Sequence, residues 1–297
     1  MIAGMRFFHP ARCLAAASCM CLVMGACGPS DAPPRVDTAS GATAVALPSG
    51  VPADVRLSAL GALLVVPGDS AGAGIVIYPE APTTQLVGSA PLRLLAPSGD
   101  STRASAALVM TDSQVCGEAP LVRIQDSLAT AWSVGILGSA AAPVSMDSIE
   151  VLSRRDSTRL VAELARLASS IPMQSDSRFK GLAFAVSSAR RFDAGGSQIV
   201  VSQLVRRVPH EAAPVEEHTF IVAERDSSSS GLAMAFQARS EGTEETAEQF
   251  EVLAVLRGTS TVWLLLSRDN TAQTTYQVLE RVAPGTWRLR WSRVLSC

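Results

Sequence analysis

The chain has 297 residues, of which 25 are basic and 27 acidic, for a formal net charge of −2. Its arginines stand singly or in pairs beside one lysine, Lys180, so the basic stripe that nucleic-acid binding requires is missing and nucleic acid is excluded as the expected partner. Apolar residues make up 47% of the chain, enough for a large core, which excludes disorder as the general state.

Residues 1–26 contain no acid, carry Arg6 and Arg12 early, and then run uncharged from Cys13 to Ala26. This is the layout of a secretory signal peptide. The run is shorter than the roughly 20 apolar residues of a spanning helix, so the segment is expected to be removed. Met24-Gly25-Ala26-Cys27 resembles the lipobox of bacterial lipoproteins: an apolar residue, two small ones that let the backbone enter a peptidase groove, then the cysteine. The resemblance implies cleavage in front of Cys27, diacylglycerol on its thiol and often an acylated new amino terminus, the several chains that stable attachment needs. Gly28 after the cysteine, rather than Asp, implies delivery to the outer membrane. The expected partner is then the membrane of the cell envelope, through lipid on Cys27; an ordinary cleaved signal with a free Cys27 is the competing reading.

Without residues 1–26 the chain keeps 23 basic and 27 acidic residues. Residues 27–50 read as a flexible tether, because four prolines and many small residues follow Cys27; such a tether reaches roughly 25 Å. Residues 51–150 read as a β-rich unit of short strands separated by Gly, Pro, Asp and Ser turns, with strands expected at 62–66, 74–78, 91–95, 104–110, 120–125 and 131–137. Within it, Gly68-Asp69-Ser70-Ala71-Gly72 matches G-x-S-x-G and resembles the serine motif of hormone-sensitive-lipase-like esterases, which implies Ser70 as a nucleophile with an acid and His210 or His218 downstream. That elbow needs a helix after the serine, whereas Ile75-Val76-Ile77-Tyr78 reads as a strand, and the unit starts too close upstream for the oxyanion loop. A hairpin turn is the simpler expectation.

Residues 151–172 predict a connecting helix, at about 157–171. Leu160, Leu164, Leu167 and Ile171 share one face, Ser153 or Asp156 can cap the start, Pro172 ends it, and Arg159 with Glu163 would form a surface pair. Residues 173–297 then predict eight antiparallel strands in meander order, at 182–192, 198–208, 218–225, 232–239, 247–257, 261–268, 274–282 and 286–294. Gly195-Gly196 supplies the first turn. Trp287, Leu289 and Trp291 alternate with Arg288 and Arg290, which predicts one buried face, while Trp263-Leu264-Leu265-Leu266 lacks alternation and predicts a central strand covered on both faces. The expected class is mainly β (α+β), with antiparallel meander sheets, a curled or closed barrel-like C-terminal unit and one clear helix.

The remaining chemistry is sparse. His210 and His218 are eight residues apart with Pro214 between them, unlike a helical zinc pair, and Glu211, Glu216 and Glu217 beside them read as decoration of a solvated hairpin loop. Glu241, Glu244, Glu245, Glu248 and Glu251 lack the spacing of a calcium loop and read as a solvated face. No phosphate loop, dinucleotide fingerprint or C-x-x-C pair occurs, so no cofactor, metal or catalytic residue is assigned. Once Cys27 is lipidated, Cys116 and Cys297 are left in an oxidising compartment, and a disulfide between them is expected, two buried free thiols being the alternative. The function expected is non-catalytic, binding an unidentified protein or small molecule or serving as a scaffold; the alternatives are an envelope serine hydrolase using Ser70 and a subunit of an outer-membrane assembly.

Overall fold

The structure, a computed structural model, describes residues 60, 63–68, 72–78, 89–109, 121–124, 132–138, 141–173, 178–208, 214–229 and 231–296. Six strands come first: β1 Leu63–Pro67, β2 Ala73–Tyr78, β3 Ser89–Leu95, β4 Ser101–Val109, β5 Leu121–Ile124 and β6 Val134–Leu137. They close into a barrel in the order β1-β2-β5-β4-β3-β6, every neighbouring pair antiparallel. All six expected strands of this half are present.

Strand alternation gives the barrel two apolar surfaces. Val65, Val76, Leu92, Leu94, Ala104 and Val122 pack together as its filling, while Leu64, Val66, Ile75, Ile77, Val134 and Ile136 form a second cluster with residues of a neighbouring sheet. Six strands enclose little space, and glycine makes up the difference. A Cβ built on Gly74 would overlap Val65 Cγ1 and lie 3.0 Å from Val122 Cγ2. Gly74→Ala should therefore lower stability by about 1–3 kcal/mol through overpacking, read as a lower urea midpoint at constant slope; an unchanged midpoint would show that the barrel is not filled as described.

The chain leaves the barrel along the edge of two further sheets, adding β7 (Ala142–Pro143) to one and β8 (Asp147–Ser148) to the other. A 3-10 turn, Ile149–Val151, leads to helix α1, Arg154–Ser169. Ser153 is the N-cap, its hydroxyl accepting from the Asp156 amide at 3.2 Å, which is why the helix starts three residues before the sequence reading places it. Leu160, Leu164, Leu167 and Ala168 form its buried face.

The eight strands of the last part follow closely as expected: β9 Ala185–Ala194, β10 Ser197–Val208, β11 Val215–Asp226, β12 Ala233–Thr243, β13 Gln249–Arg257, β14 Val262–Asp269, β15 Thr274–Ala283 and β16 Thr286–Leu295. The β9–β10 turn has φ of 60° at Gly195 and 81° at Gly196, the left-handed pair that a two-residue hairpin requires. The meander divides after β12. One five-stranded sheet runs β12-β11-β10-β9-β8 and the other β16-β15-β14-β13-β7.

The two sheets stack, burying Ile199, Val201, Phe220 and Val222 of the first against Phe250, Leu264, Leu266 and Leu279 of the second. The outer face of the first is covered by α1, where Leu160, Leu164 and Leu167 meet Val200, Leu204 and Ile221. The outer face of the second is covered by the barrel, where Leu253, Trp263, Leu265 and Val278 meet Leu64 and Ile136. Ser133 of the barrel side fastens this contact, its hydroxyl reaching the Leu253 carbonyl at 2.6 Å. The layers are thus barrel, sheet, sheet, helix. Because Trp263 and Leu265 face the barrel while Leu264 and Leu266 face the other sheet, the uninterrupted apolar run of β14 is explained as expected.

The class is mainly β with antiparallel strands, a closed barrel and one long helix, as the sequence predicts. The barrel stands in the first half, and the C-terminal strands remain two open sheets because each has both faces covered without curling. A second difference is local to β16. The register against β15 shifts between Val278 and Leu279, with Val278 opposite Trp291 and Leu279 opposite Leu289. The extra residue, Arg290, turns Trp291 to the barrel side while Trp287 and Leu289 stay between the sheets. The alternation of Trp287, Leu289 and Trp291 therefore does not mean one common face; the bulge moves the last of them.

Candidate functional site

Strands β10 and β11 pair over their whole length, placing Arg206 opposite Glu217 and Arg207 opposite Glu216. Both strands are covered on both faces over most of their length, so successive side chains point to opposite sides, and of these four only Arg207 is exposed. Glu217 is fully buried and Glu216 is 4% exposed; the expectation that they decorate a solvated loop is corrected. The loop ends at Pro214, and the charges of the facing strand make burial tolerable.

On the helix side, Arg206 Nη2 donates to Glu217 Oε2 at 2.7 Å and Nη1 to the Phe179 carbonyl at 3.1 Å. Its guanidinium lies over the Phe184 ring, 4.4 Å from the centroid, and over Phe179 at 5.4 Å. Thr219 Oγ1 donates to Glu217 Oε1 at 3.1 Å, and Arg239 Nε stands 3.4 Å from the same oxygen. The carboxylate is thus held by a guanidinium on its own sheet and screened by aromatic faces.

On the side facing the second sheet, the Phe250 amide donates to Gln203 Oε1 at 3.1 Å. This orients the Gln203 amide so that Nε2 donates to His218 Nδ1 at 3.0 Å. The ring proton then sits on Nε2, which donates to Glu216 Oε2 at 2.7 Å, while Arg207 pairs with Oε1. Burial pushes the Glu216 carboxyl up, and the hydrogen bonds from His218 and Arg207 with the charge of Arg207 outweigh it, holding the group below the usual glutamate range.

A third buried carboxylate joins the sheets. Glu224 of β11 accepts Arg281 Nε at 2.9 Å and Nη2 at 2.7 Å, the Gly285 amide at 3.0 Å, and the Trp287 indole. Burial raises this carboxyl too, and the four donors with the charge of Arg281 bring it below the usual range. Elsewhere Glu163 of α1 accepts from Arg225 at 2.9 Å, Glu248 pairs with Arg268 and Glu280 with Arg290. Arg159 pairs with Asp156 at 3.4 Å instead of Glu163, because Glu163 is turned to the sheet. Tyr276 is pushed up to about 12 by burial, with Asp269 and Glu251 adding to the effect.

At the opposite end of the first sheet, an open cleft of about 390 Å³ lies between the β9–β10 turn and the loop after β11, lined by Asp193, Gln198, Arg225, Asp226, Ser227 and Ser229. Arg225 is held on the floor by Glu163 and by Gln198, 3.1 Å away. Asp226 accepts the Ser228 hydroxyl at 3.1 Å and that of Ser227 at 3.2 Å, which keep its carboxyl below the usual range. The walls present carboxylates, an amide and hydroxyls.

Of the residues singled out in the sequence, Cys27, Ser70, Cys116, His210, Glu211 and Cys297 lie outside the described residues. The strands flanking Ser70 pair antiparallel, with Pro67 opposite Gly74, and the Gly68 amide donates to the Ala73 carbonyl at 3.0 Å. A strand rather than a helix thus follows the G-x-S-x-G segment, which is the context of a hairpin. Glu241, Glu244, Glu245 and Glu251 are exposed and Glu248 is the ion-paired member of that group. Among the described residues no group of three His, Cys, Asp or Glu side chains could hold a metal ion.

The ion-paired buried glutamates are the feature that motifs alone miss. Their signal is the arrangement itself: Arg206-Arg207 and Glu216-Glu217 are equidistant from the centre of one hairpin, so antiparallel pairing must bring each arginine to a glutamate. No protein-family model matches the chain, and no curated protein is similar to it.

Proposed function

We propose that this protein is attached to the bacterial cell envelope by lipid on Cys27, in the outer membrane, and acts there without catalysis as a binding or scaffold protein. The observation that carries the non-catalytic reading is the state of the buried carboxylates. General acid–base work needs a group poised near neutral pH, whereas Glu216 and Glu224 are held ionised by arginines and hydrogen bonds, and Glu217 has its oxygens taken by Arg206, Thr219 and Arg239. Such groups build a rigid platform. The polar cleft between Asp193 and Ser229 is where a small ligand would sit, and a pairing of Cys116 with Cys297 belongs to the same reading, since the compartment oxidises thiols.

Wild type and Ser70→Ala should be indistinguishable in hydrolysis of short-chain esters, and crosslinking in intact cells followed by recovery from membranes should return a defined partner. A robust esterase activity that disappears in Ser70→Ala would overturn the non-catalytic proposal.

A further inference from the structure

The outward face of α1 is basic in a way that the fold does not require. Arg155, Arg159 and Arg166 recur at helical spacing on the side opposite Leu160, Leu164 and Leu167, with Arg154 beside them, and all four are exposed. The residues between them on that face, Thr158, Ala162 and Ser169, are small and exposed. Acids offset this face little: Asp156 accepts the Ser153 hydroxyl at 2.7 Å at the cap, and Glu163 is turned under the helix to Arg225. The Arg159–Asp156 contact is 3.4 Å long between side chains 72% and 49% exposed, a pair that water screens. Helix stability argues against this placement, because Arg154 and Arg155 occupy the first turn, where the helix dipole disfavours positive charge. The rest of the processed chain is net acidic, so the face is a local reversal of sign.

We infer that the Arg155–Arg159–Arg166 face of α1 docks on anionic lipid headgroups of the membrane to which the chain is tethered. The inference rests on the lipid-anchor reading, which keeps the folded part close to that surface. Guanidinium groups pair with headgroup phosphates in forked geometry, and small residues between them let the helix lie close. The helix is the layer furthest from the barrel, so the molecule must turn over to bring it to the bilayer. The chain between Cys27 and Leu60, if drawn out, reaches about 110 Å, which permits that.

The test uses the protein as recovered from cell membranes, reconstituted with vesicles of phosphatidylcholine alone or of phosphatidylcholine with phosphatidylglycerol. Arginine modification by phenylglyoxal is read peptide by peptide, and vesicle flotation is read separately. Modification of Arg155, Arg159 and Arg166 should slow on the order of tenfold in the anionic vesicles and recover in high salt, while exposed Arg103 of the barrel reacts equally in both. The combined variant Arg155→Gln, Arg159→Gln and Arg166→Gln should float as wild type and lose protection elsewhere on α1, seen by hydrogen exchange. Flotation on both vesicles with equal modification rates overturns the docking and leaves the anchor standing. Protection in anionic vesicles without flotation on phosphatidylcholine supports the docking and overturns the anchor, and neither effect overturns both.

Discussion

Replacing Glu217 by alanine should lower the free energy of unfolding by about 3–5 kcal/mol, because Arg206 would be left charged and buried without its partner. Arg206 has a side chain 3% exposed and Glu217 one fully buried, so water cannot take over the role of either. The matching control replaces both: Arg206→Met with Glu217→Leu removes the charges together and should come out within about 1 kcal/mol of wild type or above it. Arg239, 24% exposed at its side chain, turns to solvent in that variant. Urea unfolding at neutral pH measures both. A Glu217→Ala loss under about 1 kcal/mol would mean that the pair is wetted and that the sheet end is not the closed platform described.

Arg281→Ala should be as damaging, about 3–5 kcal/mol, since it removes the bidentate partner of Glu224 and with it the main polar link between the two sheets. The same site predicts the acid limit of the fold. The Glu224 carboxyl is held below its ordinary value of 4.5, and Glu216 likewise. A carboxyl whose folded value is depressed contributes stability that is fully present above its unfolded value and is lost as pH falls through the folded one. The urea midpoint should therefore be level from neutral pH down to about 5 and fall steeply below that. Glu224→Gln should start lower at neutral pH and fall less in acid. Parallel curves for the two proteins would contradict the assignment of the acid sensitivity to this site.

Much of the fold is legible in the sequence because the local signals agree with one another. Alternation and turn residues place the strands on either side of Gly195-Gly196, and the leucine spacing with Ser153 and Pro172 places α1. What sequence periodicity does not reveal is which faces meet. The split of the meander after β12 depends on the helix and the barrel each covering an outer face, which is a tertiary fact. The turn of Trp291 away from Trp287 depends on one bulge residue, Arg290, whose pairing with Glu280 favours the inward position. For the polar site the difficulty is composition: Arg206-Arg207 and Glu216-Glu217 beside a proline-rich loop look like surface residues, and only their symmetric spacing across the hairpin says that they are paired.

Attachment through Cys27 is the claim on which the proposed role turns, and metabolic labelling with radioactive palmitate tests it most directly. Wild-type protein should carry the label and migrate as the processed form, while Cys27→Ser should accumulate as unlabelled, full-length precursor. Label entering Cys27→Ser, or a processed wild-type protein that carries none, would contradict the account.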